Sequence, residues 1–118
     1  MSHLPNDRTN ESARTVSTKA VEYHQLLASQ RRRLTIEALH EHARSSIDLE
    51  TLATAVATRE NGGHAPSDDA VVSVTIDLHH VQLPMLAEHG VLEYDRENRR
   101  VDPSSEAIET LRGVRPDW

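Results

Sequence analysis

Guanidinium groups are where this sequence concentrates its chemistry. Arg96, Arg99 and Arg100 fall within five positions, and Arg31, Arg32 and Arg33 are consecutive. Arginine is suited to phosphate or carboxylate oxygens, which its planar donors can grip in pairs. Arg31–Arg33 directly follow Ser29 and Gln30, where a helix is expected to start, and cations sit unfavourably at that end of a helix dipole. Their placement points to an outside anion, a phosphate or a partner's carboxylate. Pairing with Glu37 or with acidic residues elsewhere is the alternative. Consecutive helix positions fan out around the axis, so at most two of the three face one partner, and Arg31 and Arg32 are the candidates. Arg96, Arg99 and Arg100 suit phosphate contact, but Glu93, Asp95 and Glu97 stand among them. A salt-bridged hairpin is the competing reading.

Other chemistries are weakly represented. There are eight histidines and no cysteine. Disulfides, thiolate catalysis and Cys-type zinc sites are thereby excluded. His79 and His80 are adjacent and His40 and His42 are two apart, so neither pair shares a helix face as the i, i+4 ligands of a helical zinc site do. Asp77 and His80 form one i, i+3 pair with no third ligand in view. We expect no metal and no cofactor, and read His79 as a histidine at the edge of the core, against the preceding helices. No nucleophile motif, phosphate-cradling glycine loop or spaced acid pair stands out. Gly62-Gly63 reads as a loop hinge, and the chain is not expected to be an enzyme.

A length of 118 residues allows one domain of roughly 80–90 ordered residues with tails. The core must be aliphatic, because the chain has no Phe, one Trp and two Tyr. No apolar run approaches the roughly 18 residues of a membrane span, and residues 1–20 lack the apolar centre of a signal peptide. The expectation is a cytoplasmic protein without membrane contact. Twelve Arg and one Lys face eight Asp and eleven Glu, a net charge of −6. Scarce lysine with excess carboxylate suits a surface kept hydrated in molar salt, and a GC-rich genome also favours Arg over Lys. Residues 1–60 hold eight basic and eight acidic groups, whereas residues 61–118 hold five and eleven.

The elements that must position these groups follow from caps and periodicity. Residues 1–18 read as a disordered tail, 19–112 as the domain and 113–118 as a second tail. Lys19 to Ala28 suits a short helix. Ser29 can cap a helix over Gln30–Ala43 with Leu34, Ile36, Ala38, Leu39 and Ala43 inward. Asp48 can cap the next, where Leu49, Leu52, Ala53, Val56 and Ala57 form a clean stripe ending near Glu60. Residues 61–66 are a loop and Ser67 is another cap. AVVSVTIDL alternates like a strand, but a helical reading inherits the Ser67 cap and buries Val72, Ile76, His79, Leu83 and Leu86. We read one long helix to residue 88, bent at Pro84, whose ring displaces the carbonyl of residue 80. Gly90 stops it. Val91–Tyr94, a turn over Asp95–Asn98 and a return from Arg99 make a hairpin. A last short helix starts at Asp102–Ser105, buries Ala107, Ile108 and Leu111, and ends at Gly113.

Three stretches carry a resemblance: LLASQRRRLTIEAL at 26–39, IDLETLATAVA at 47–57 and HHVQLPMLAEHGVLEYDRENRRV at 79–101. Over roughly residues 20–102 the chain resembles archaeal winged helix-turn-helix regulators of the ArsR-like type, and more closely a haloarchaeal winged-helix family of uncharacterised function. The last stretch is the most specific, because it joins a helix proline to the entry of the hairpin "wing". The resemblance implies a mainly α fold with a small β-hairpin wing, and a transcription regulator that binds double-stranded DNA, often as a homodimer; any small-molecule effector stays open.

In such a fold the long helix lies in the major groove and the wing touches neighbouring phosphates. The expected stripe leaves Ser73, Asp77, His80, Val81 and Pro84 outward. Ser73, His80 and Gln82 can donate to bases or phosphates, and Asp77 can accept from cytosine N4. With Arg96, Arg99, Arg100, Arg31 and Arg32 they are the candidate DNA-binding residues. The alternative is a winged helix kept for protein–protein contact or dimerisation. Outward Val74, Leu78, Val81 and Met85 would then form an apolar strip, or Val21–Leu27, Ala107–Leu111 and Trp118 the subunit contact. The discriminator is whether the wing arginines and one of Arg31–Arg33 share an open face.

Overall fold

The computed structural model describes residues 25–42 and 45–114. The expected disordered tail, most of the expected first helix, Ala43 and Trp118 lie outside them. The first complete helix, α1 (Gln30–Glu41), opens where Ser29 accepts from the backbone N–H of Arg32 at 3.3 Å. It buries Thr35, Ile36, Ala38 and Leu39. Strand β1 (Ile47–Asp48) follows, then α2 (Leu49–Glu60), capped by Asp48, which accepts from Thr51 N at 3.0 Å and from the Thr51 hydroxyl at 2.7 Å. All five stripe residues of α2 are buried.

After the loop comes one continuous helix over residues 68–88. It consists of α3 (Asp68–Asp77), a π turn (Leu78–Gln82) and α4 (Leu83–Glu88). Ser67 caps it by accepting from Ala70 N at 3.1 Å. The helical reading of this stretch holds, but its buried stripe is corrected. Val74, Leu78, Leu83 and Leu86 are buried, whereas Val72 and Ile76 are each 55 % exposed. His79 is half-buried. The cause is the π turn. The N–H of Leu83 reaches the carbonyl of Leu78, five residues back, so two leucines that an α-helix would turn apart both enter the core. The same turn accommodates Pro84, which has no N–H to offer the carbonyl of residue 80.

Gly90, at φ +76°, ends the helix. Strands β2 (Leu92–Asp95) and β3 (Arg100–Pro103) form the hairpin, and β1 adds to β3, giving an antiparallel sheet in the order β1-β3-β2. Ile47 lies opposite Val101, and Tyr94 lies on Val101's other side. A final helix, α5 (Ser105–Val114), runs through Gly113, the expected stop, and lays Ile108 and Leu111 into the core. The domain is mainly helical with a small three-stranded sheet.

The helix over residues 68–88 reaches the length of a membrane span, with mean hydropathy 1.2 over an 18-residue window of which 28 % is buried. Asp77, His79, His80 and Gln82 break its apolar run, which is why no span stands out in the sequence. Its leucines pack in the domain core, and what remains is an exposed apolar flank.

Candidate nucleic-acid interface

The hairpin turn is built by Asp95, which accepts from Asn98 N at 3.2 Å and from the Asn98 amide at 2.8 Å, closing a four-residue loop between Asp95 and Arg100. That closure holds the Asp95 carboxyl below its usual range, because the bonds favour its charged form. Arg96 opens the loop, exposed, with no ion pair among the described residues. Arg99 ends it at φ 54°, a left-handed conformation that costs a non-glycine residue about 1–2 kcal/mol. Two bonds hold it there: its carbonyl accepts from Leu49 N at 2.8 Å, and its guanidinium meets Glu50 at 2.9 Å. Arg100 donates to the Ser46 hydroxyl at 3.3 Å and also makes no ion pair among the described residues. It stands opposite Asp48, whose carboxyl is held low mainly by the Thr51 bonds, with Arg100 a lesser cause.

The hairpin also meets the long helix. His79 Nδ1 and the Tyr94 hydroxyl are 2.7 Å apart, with the rings edge to face at 5.8 Å. His79 therefore packs against the hairpin, where a contact with the preceding helices was expected. Its pKa is lowered, first by partial burial and then by the charges of Arg96, His80 and Arg99. Burial likewise raises the Tyr94 phenol.

Arg31, Arg32 and Arg33 prove to be internal fasteners. Arg31 grips Glu60 with two bonds, 2.6 and 2.9 Å, and reaches Asp77 at 3.3 Å. These partners raise its pKa, led by the bond to Glu60. Arg32 donates to the carbonyls of Leu26 at 2.9 Å and Gln25 at 3.1 Å and to the Met85 sulfur at 3.3 Å. Arg33 donates to the carbonyls of Leu27 at 2.8 Å and Ala28 at 3.4 Å. Two arginines that look misplaced at the start of one helix, Arg32 and Arg33, thus bond carbonyls of the turn before it, while Arg31 reaches across to carboxylates.

The candidates on the long helix separate. Ser73 and His80 are exposed. Asp77 is engaged by Arg31 and by the Gln82 amide at 3.0 Å. Gln82 is 7 % exposed, which removes it from the surface where a donor to bases was expected. The apolar strip is also corrected: Val74 and Leu78 are core residues, Met85 is half-buried, and Val72, Ile76 and Val81 are the exposed ones. Leu26, Leu27, Ile108 and Leu111, expected at a subunit contact, are buried inside the domain. Strand-like alternation hid this, because it fits two helical stripes equally well. Among the described residues no three potential metal ligands converge.

These elements define a small helical domain whose three-stranded sheet ends in an arginine-bearing hairpin. Residues 24–102 match the family model described as Domain of unknown function (DUF7344), and the chain belongs to that family. No curated protein and no solved structure matches it.

Proposed function

We propose that the chain is a winged helix-turn-helix domain, a cytoplasmic regulator of transcription that meets double-stranded DNA chiefly through its wing. Support for the fold comes from the topology. Two helices joined by a loop, α2 and α3, lead into a hairpin whose return strand also pairs with a short strand between α1 and α2. Support for DNA contact comes above all from one observation: Arg96 and Arg100 project from an exposed hairpin and make no ion pair among the described residues. Arg99 joins them through a surface pair whose side chains are 54 % and 57 % exposed. Such a pair is worth little and exchanges readily for a phosphate. The long helix begins with Asp68 and Asp69, which repel phosphate, so the usual reading helix is the lesser contributor.

The expected salt behaviour is specific. Each phosphate contact contributes about −0.9 to the slope of log K against log salt. Anisotropy titrations on a labelled duplex, comparing wild type with the Arg96→Ala/Arg100→Ala double variant, should show weaker binding and a slope shallower by about 2. Both side chains are exposed, so thermal unfolding should not change. Equal affinity and slope in the two proteins would end the wing reading.

A second reading, protein docking without specific DNA binding, is favoured by the exposed Val72, Ile76 and Val81. A duplex would gain little from these side chains, whereas another apolar surface would gain their burial.

A further inference from the structure

The long helix presents an exposed row that is complementary to itself. Asp68, Val72, Ile76 and His80 recur every four residues, and all four are exposed. Residues four apart are neighbours on a helix surface. The row is acidic at its start, where Asp69 adds a second carboxylate, and apolar at its centre. It ends in an imidazole next to His79, where the charges of Arg96 and Arg99 are felt. Val81 extends the apolar part at 46 % exposure.

We infer that a second copy of this chain covers the row, the two helices lying antiparallel about a twofold axis near residue 74. In antiparallel helices of equal rise this register sets Val72 of one copy opposite Ile76 of the other, and Asp68 opposite His80 with Arg96 close by. Because a twofold contact is isologous, each pairing forms twice. Burial of the aliphatic centres supplies attraction, and Asp68 and Asp69 at one end with Arg96 near the other select direction, since a parallel arrangement would stack carboxylate on carboxylate. This assigns the subunit contact to the long helix, after Leu26, Leu27, Ile108 and Leu111 proved to lie in the core. It also accounts for a reading helix without Arg or Lys: in this arrangement that helix faces its copy, and Arg99 and Arg100 of each hairpin are not called on by the contact. The inference stands without DNA contact, and is tested in its absence.

The test is the mass of the full chain in solution, by light scattering and sedimentation at about 100 µM. Wild type should run at twice 13.2 kDa. Val72→Glu/Ile76→Glu should run at the single-chain mass with unchanged circular dichroism and unfolding, because both positions are exposed. Asp68→Arg should weaken the dimer at least about tenfold by placing like charges together, and adding His80→Glu should restore it. A monomeric wild type, or a dimer indifferent to Ile76→Glu, overturns the contact. Failure of the charge reversal to rescue overturns the antiparallel register.

Discussion

Six arginines in two clusters share a side chain and have opposite fates. Arg31, Arg32 and Arg33 turn inward to carboxylates, carbonyls and a thioether sulfur. Arg96 and Arg100 make no ion pair among the described residues, and Arg99 is held in a strained backbone conformation with an exposed carboxylate facing its side chain. Strain retained at an exposed charged residue is a frequent mark of a functional position. The charge of the hairpin also reaches His79. A lowered folded pKa means that the unfolded chain binds more protons in the window below the ordinary value of 6.5. Stability contributed by this group is therefore fully present above about pH 6.5 and declines as pH falls from there toward the lowered folded value. Urea unfolding at pH 5 and pH 7 should show wild type losing more stability on acidification than His79→Gln. An identical loss in both would place the pH dependence in other groups.

The caps were the most legible features of the elements. Ser29, Asp48 and Ser67 start their helices as their side chains imply, because an N-cap acts within three residues of itself. What escaped the sequence depends on distant partners or on a break in period. Strand β1 has two residues and exists because Val101 and Arg100 lie beside it, and the π turn moves the buried stripe from Val72 and Ile76 to Val74 and Leu78. The mainly helical class and the hairpin could be read locally. The role of Arg31 could not, since its partners lie 29 and 46 residues away. Those bonds tie the start of α1 to the end of α2 and to the last residue of α3, and Gln82 extends the chain from Asp77 into the π turn. Arg31→Met should lower stability by about 1–3 kcal/mol at low salt, as loss of charged hydrogen bonds does, and by less in molar salt. Chemical unfolding at two salt concentrations checks both. A loss under 0.5 kcal/mol, about the size expected of an exposed pair, would mean the network does not join these helices.

Across the whole molecule, charge and topology divide the work. With a net charge of −6 and eleven acidic groups in residues 61–118, the chain's overall charge does not attract nucleic acid at a distance. In molar salt such attraction is weak for any protein. On the proposed reading, close contact, shape and duplication through a twofold axis would have to supply affinity, with one hairpin on each of two copies. Two hairpins so related would require a target sequence with the same symmetry. The proposal of a DNA-binding regulator meets its sharpest test in the retention of genomic DNA fragments on the protein from about 0.1 M to 2 M salt, with sequencing of what stays bound. A regulator should enrich one palindromic motif that survives the highest salt and is lost in the Arg96→Ala/Arg100→Ala variant. Retention confined to low salt and without a motif would contradict it, and would leave the exposed row on the long helix as the molecule's principal contact surface.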